Sequence, residues 1–378
     1  MNRILMTASM LLMSALMLVS CDKAGDDTSM DAGFFVTLDK NVIQSNGQDY
    51  ATLKATLDGK DVTSGTTFYL ASGNSLTPID GNVFSTDKEG KYSFRASYQT
   101  FSVAADDAVL LTAINVAIPT AVADPQPSNT SFVHRSFLNQ YTGTGCGYCP
   151  GMIRAIKEAF KDEETKSMAV LAAVHSYGAG DPAYIPGPRA SSYPYLDIDM
   201  SAGFTYDLDP YATGGVLKRA LQERTSAAAK VGISANPSYV DGVLVVRVAV
   251  KAAVAGSYRL GVWFLQDNVY GQQTDNLGIV AGDSSFNYHN NCVRLADSRY
   301  GNNYAGYPIE TLKAGETAER TFVLNVDAAD WKLKDMNNLH FAAFVTEQSG
   351  KGFKVVNVVD CKYNEPTPYE YKPITSKF

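Results

Sequence analysis

The sequence predicts a multidomain chain of mixed class, with two β-sandwiches flanking a central α/β domain. Three observations predict it. Period-two alternation broken by turn residues fills residues 31–122. Residues 131–229 alternate strand-like runs with helical spacing, and from 230 to the end the strand pattern returns.

The N-terminus comes first. A weakly basic start, Asn2-Arg3, precedes an apolar run from Ile4 to Val19 that only Thr7, Ser9 and Ser14 interrupt. The run is shorter than the ~20 residues a membrane-spanning helix needs, and it suits the apolar core of a secretory signal. It ends in Leu18-Val19-Ser20-Cys21, which resembles the lipobox of bacterial lipoproteins. The resemblance implies cleavage after residue 20, lipid on Cys21, acylation of the new amine, and attachment to the cell outer membrane. Several acyl chains at ~0.8 kcal/mol per buried CH₂ anchor stably where one chain is marginal. Residues 21–30 are polar and acidic, without apolar periodicity, and should form a tether.

Composition narrows the function classes. The mature chain has about 360 residues, enough for two or three domains. A net charge of −7 argues against nucleic acid as a partner. Four histidines in the whole chain argue against a multi-histidine metal site, and no motif asks for a cofactor. With Cys21 lipidated, four cysteines remain in an oxidising compartment. The expected pairs are Cys146–Cys149 and Cys292–Cys361, the second as a staple within the C-terminal segment. Two free buried thiols are the alternative for Cys292 and Cys361.

Within residues 31–122, Phe34-Phe35-Val36-Thr37-Leu38, residues 51–57, residues 67–70 and residues 92–96 read as strands, with Asp58-Gly59, Asp80-Gly81 and Glu89-Gly90 at turns. The pattern resembles the immunoglobulin-like repeats of bacterial surface proteins and suggests a spacer or docking module. Residues 123–130, with Pro125 and Pro127, read as a linker. In 131–229, residues 132–141 look like a strand, and Met152, Ile156 and Ala159 mark one face of a helix. The apolar run 168–174 suits a strand covered on both faces. Leu217, Ala220 and Leu221 mark a last helix. In 230–378 the clearest strands are 243–250, 258–265, 320–326 and 340–345, the first introduced by the hairpin signal Asp241-Gly242.

The chemical signal is Thr142-Gly143-Thr144-Gly145-Cys146-Gly147-Tyr148-Cys149-Pro150. A Cys-x-x-Cys between a strand and an amphipathic helix is the arrangement of thioredoxin-like redox domains. Helix N-terminal N–H groups favour a thiolate on the first cysteine. That thiolate attacks a disulfide of a protein substrate, and the second cysteine resolves the mixed disulfide. Such folds set a cis-proline beside the motif, and Pro194 in Tyr193-Pro194-Tyr195 is the candidate. Catalytic roles are therefore expected for Cys146, Cys149 and Pro194. Two departures open a second reading. Gly145 stands where thioredoxins carry Trp, and Gln140, an amide that cannot titrate, stands where they carry the buried proton acceptor. The motif then serves as a structural disulfide. A zinc site would need a second pair of ligands that the spacing does not offer. His289 reads as a hydrogen-bonding loop residue rather than a ligand.

The stretch Tyr141-Thr142-Gly143 with Cys146-Gly147-Tyr148-Cys149-Pro150, followed by a β-rich tail with Tyr288-His289-Asn290 and Arg294, resembles the 28-kilodalton outer-membrane-protein family of the Bacteroidetes. The resemblance covers residue 132 to the C-terminus and implies a cell-envelope lipoprotein with a thioredoxin-like domain. Two functions remain: thiol–disulfide exchange through Cys146 and Cys149, or non-catalytic surface binding of a glycan or protein.

Overall fold

The computed structural model describes residues 33–201, 214–296, 304–327 and 331–373. The expected signal, the lipid-bearing Cys21 and the tether lie outside the described residues. The described chain is rich in strands, with three α-helices.

Residues 34–114 build two sheets around one core. One sheet includes Phe34–Leu38 and Tyr50–Leu57; the other includes Val109–Ile114, Gly90–Tyr98 and Thr67–Ser72. Alternate strand residues (Leu53, Ala55, Phe68, Phe94 and Leu111) fill the space between them. The hairpin from Leu57 to Lys60 turns on Asp58 and Gly59, at φ 50° and 75°. Positive φ at both central residues matches the right-handed twist of the strands, which is why Asp-Gly stands there.

The rest of the chain centres on one long sheet. Its strands are β1 (Ser136–Thr142), β2 (Ala169–His175), β3 (Tyr195–Ile198), β6 (Arg259–Gln266), β7 (Cys292–Ala296), β9 (Leu339–Ser349) and β10 (Gly352–Lys362). Between them in sequence lie β4 (Val231–Val240), β5 (Val243–Ala252) and β8 (Thr317–Asn325), which form a separate three-stranded sheet. The long sheet runs β3-β1-β2-β7-β6-β9-β10, with the short strand Tyr307–Pro308 beside β6. β1 and β2 are parallel, β2 and β7 are parallel, and the remaining pairs are antiparallel. Strands from both sides of residue 230 therefore share one sheet.

Three helices accompany it: α1 (Cys149–Ala159), α2 (Glu163–Ser167) and α3 (Gly214–Thr225). Met152, Ala155, Ile156 and Ala159 recur at helical spacing on α1 and pack with Leu217 and Leu221 of α3 over Leu138 of β1. The same face of the sheet, farther along, carries Leu260, Val262, Phe264 and Phe341, which pack on the apolar side of β4, β5 and β8. The opposite face buries Phe137, Val174, Trp263 and Phe344 with Ile185 and Met200 from loops. The β4–β5 hairpin turns on Asp241 and Gly242, at φ 49° and 77°.

The expected Cys292–Cys361 staple is absent; both thiols are free and buried. The sheet order explains it. Cys292 lies on β7 and Cys361 on β10, with β6 and β9 between them. Three inter-strand steps of ~4.8 Å set them ~14 Å apart, twice the reach of a disulfide. Burial pushes the Cys361 thiol up to about 12, so it stays protonated.

The proline-rich stretch after residue 122 is tied down by Lys251 of β5. Its buried ammonium donates to Asp124 Oδ2 at 2.7 Å, Pro127 O at 2.6 Å and Asn129 O at 3.1 Å. Removing the cation leaves these acceptors facing one another. Lys251→Met should lower stability by about 3 kcal/mol in urea unfolding, whereas an exposed substitution such as Lys54→Met should change little.

Candidate functional site

β1 ends at Thr142, and residues 143–148 turn the chain into α1, whose first residue is Cys149 with Pro150 in the first turn. Proline suits that position because its missing N–H would have had no helical partner. Cys146 and Cys149 form a disulfide. Both cysteines are buried: Cys146 is 2% exposed and Cys149 0%.

The cover comes from residues 271–280, far along the chain. Gln273 Nε2 donates to Cys146 O at 3.0 Å and Thr144 O at 3.2 Å. Thr274 N donates to Thr144 O and Asn276 N to Gly147 O, each at 2.8 Å. A Cβ on Gly147 would collide with the Asn276 side chain, so glycine permits this close approach. The bridge loop is thus paired like a strand with a segment 130 residues away.

Beneath the loop, Asp181 holds it. Its Oδ2 accepts from Thr144 N at 2.6 Å and from His175 Nδ1 at 2.9 Å, and its Oδ1 accepts from Ala183 N at 2.8 Å. His175 Nε2 lies 3.6 Å from Cys292 Sγ, and the His289 ring stands edge-on 5.1 Å away. His289 Nε2 donates to Gly271 O at 3.0 Å, which fixes the start of the covering segment. Burial works against charge on Asp181, but the His175 ring and the two N–H donors hold its carboxyl down at about 2. Burial likewise disfavours the His175 cation, yet Cys292 and the Asp181 carboxylate raise it to about 10. Burial and the His175 charge push His289 down, so it stays neutral.

The Tyr193–Pro194 peptide is cis, as is Gly187–Pro188. Tyr193 links this segment to the bridge loop: its ring meets Tyr177 at 5.4 Å, and Tyr177 lies against Gly145, 3.6 Å from where a Cβ would stand. An aromatic ring therefore does sit beside the residue before Cys146, supplied by Tyr177 rather than by the chain position itself. Gln140 is buried on β1. Sequence reasoning missed Asp181, His175 and Gln273 as site residues. Asp181-Pro182 and His175 showed no spacing motif, and Gln273 acts through a contact that only the fold creates.

Asp181, which holds the bridge loop, and its partner His175 are both held away from neutrality. Asp181 stays ionised, His175 stays protonated, and Gln140 cannot titrate.

No family model matches the chain, and no curated protein matches it. Among solved structures, HBP35 of Porphyromonas gingivalis matches with a TM-score of 0.50 at 16% identity, over 66% of this chain and 81% of that one. That is a likeness of fold. A protein of Agrobacterium tumefaciens follows at TM-score 0.39 and 12% identity, over 62% of this chain and 96% of its own. A domain of the outer membrane lipoprotein Omp28 from P. gingivalis gives 0.23 and 20%, over 36% and 89%. The last two scores are too low to add to the first.

The His175–Asp181 pair predicts a pH dependence. The raised His175 contributes stability in full below about 6.5 and loses it as pH climbs toward about 10. The depressed Asp181 contributes above about 3.8 and loses it as pH falls toward about 2. His175→Gln should cost about 3 kcal/mol at pH 6. Its deficit should shrink steadily between pH 6.5 and 10 in unfolding titrations of both proteins. Comparing the two cancels the other titrating groups, including Asp199 and His340.

Proposed function

We propose that this chain is a lipid-anchored envelope protein whose thioredoxin-like scaffold binds a ligand, with Cys146–Cys149 as a fixed structural bridge. The observation that carries the reading is the cover on the bridge. Exchange needs a thiolate to approach one sulfur in line with the S–S bond, and Gln273, Thr274 and Asn276 hydrogen-bond across the loop that carries Cys146. The fixed charges on Asp181 and His175 point the same way, since resolution of a mixed disulfide needs the second thiol activated.

The scaffold assignment is supported by the order of elements: strand, CxxC, helix, parallel strand, cis-proline, antiparallel strand. The CxxCP context ties it to the 28-kilodalton outer-membrane-protein family of the Bacteroidetes, as a resemblance. The lipobox assigns Cys21 to lipid, and the outer membrane is the proposed location.

The competing reading is thiol–disulfide exchange by Cys146, favoured by the bridge lying at the N-terminus of α1. Two measurements separate them. In the folded protein the bridge should resist dithiothreitol, with a potential below about −300 mV and no turnover of a peptide disulfide. Gln273→Ala should speed its reduction about tenfold by loosening the cover. Turnover by the wild type that Cys146→Ser abolishes would overturn the structural reading. Separately, Cys21→Ser should move the protein from the detergent phase to the aqueous phase in a two-phase extraction.

A further inference from the structure

A cavity of about 420 Å³ opens beside the bridge, between α1 and the sheet. That volume lies within the range of small-molecule sites. Its floor is the helix-side face of β1 and β2: Gln140 and Thr142 from one strand, Leu171 and Ala173 from the other. Ile153 and Ile156 of α1, with Phe160 just beyond it, form one wall, and Phe286 stands in the other. The body of any ligand here meets mostly apolar surface.

Two polar atoms on the floor lack partners. Gln140 Nε2 and Thr142 Oγ1 are buried without a hydrogen bond, on residues 4% and 2% exposed. A buried unpaired donor costs about 1–3 kcal/mol, and native proteins keep few of them. An acceptor held between these two floor residues would satisfy them after a small side-chain turn.

Charge narrows the acceptor. Lys157 and Lys166 line the cavity, and among the described residues that line it there is no carboxylate. Lys157 Nζ lies 4.4 Å from the centroid of the Phe286 ring, across the cavity from α1. Lys166 has only a 3.8 Å surface contact with Glu163. His175 is paired with the Asp181 carboxylate at 2.9 Å, so the lysines carry the unbalanced charge. The chemistry that fits is an anion with an aliphatic or aromatic body.

We propose that this cavity binds a small amphipathic carboxylate, its head taken by Gln140 and Thr142 within reach of the lysines, and its body against α1 and Phe286. The assignment deepens the binding reading above by naming the ligand class. Its test leaves the bridge untouched, so either can fail alone.

The test uses octanoate as probe, with octylammonium and octan-1-ol as controls of equal chain length. Calorimetric titration is done on the full mature chain carrying Cys21→Ser, which needs no detergent. Octanoate should bind saturably at one site, at least about tenfold more tightly than octylammonium, with octan-1-ol between them. Gln140→Leu should weaken octanoate about tenfold while raising the melting temperature of the empty protein, because it removes the orphaned amide. A merely structural Gln140 would not show that opposition. Lys157 is exposed, so Lys157→Glu keeps the test alive if Gln140→Leu misfolds; it should weaken octanoate and strengthen octylammonium. Non-saturable octanoate heat, equal affinity for both ions, or affinity unchanged by both variants overturns the proposal.

Discussion

The pairing of β2 with β7 is the constraint on which the rest of this molecule depends. It is short: the register joins Ala173 to Cys292, and Ala173 N donates to Asn291 O at 2.8 Å. Yet it fuses the strands that surround the CxxC to the strands of the C-terminal segment in one continuous sheet. Because it is parallel, the two partners must be joined by a long connection. Part of that connection, residues 267–291, is thereby placed over the bridge loop. The same pairing sets Cys292 beside His175 and puts Phe286 opposite α1. The cover, the buried ion pair and the cavity are three consequences of one junction.

That junction also marks the limit of what the sequence could disclose. Signals that act within a few residues were legible. Asp58-Gly59 and Asp241-Gly242 turn hairpins because only their own φ angles matter, and the face of α1 follows from the spacing of Met152, Ile156 and Ala159. The CxxC was legible because its partners are three residues apart. Pairings decided across the sheet were not. Cys292 and Cys361 looked like a staple by elimination, and only the order of strands shows two strands between them. The roles of Gln273 and Asp181 depend on contacts that span 127 and 37 residues, which no local pattern encodes.

Electrostatics separates the groups that titrate near neutrality from the bridge. Burial and mutual repulsion raise Asp197 to about 7, and burial raises Asp199 to about 6. Asp197 pairs with Asn139 midway along β1, and Asp199 lies at its other end, accepting from Phe137 N at 2.8 Å. Asp181, the carboxylate beneath the bridge, is held at the opposite extreme by His175 and two backbone donors. Burial and donors thus fix the ionised form of the carboxylate that accepts from Thr144 N.

Chain entropy gives the Cys146–Cys149 bridge only a small global effect. Closing four residues restricts the unfolded chain by only ~2 kcal/mol, against ~3 for a fifteen-residue loop. As a global staple Cys146–Cys149 is therefore weak. Its local effect is larger in kind. The turn it closes aims Thr144 N at Asp181 and the carbonyls of Thr144, Cys146 and Gly147 at Gln273, Thr274 and Asn276. A free loop would lose backbone entropy to satisfy all of these at once, at about 1–2 kcal/mol per residue fixed. The bridge removes part of that loss in advance. It holds the loop in the shape that the covering segment meets, and the same segment continues through 286–291 to complete the cavity wall. The cysteine pair thus shapes the loop that the 271–280 segment meets.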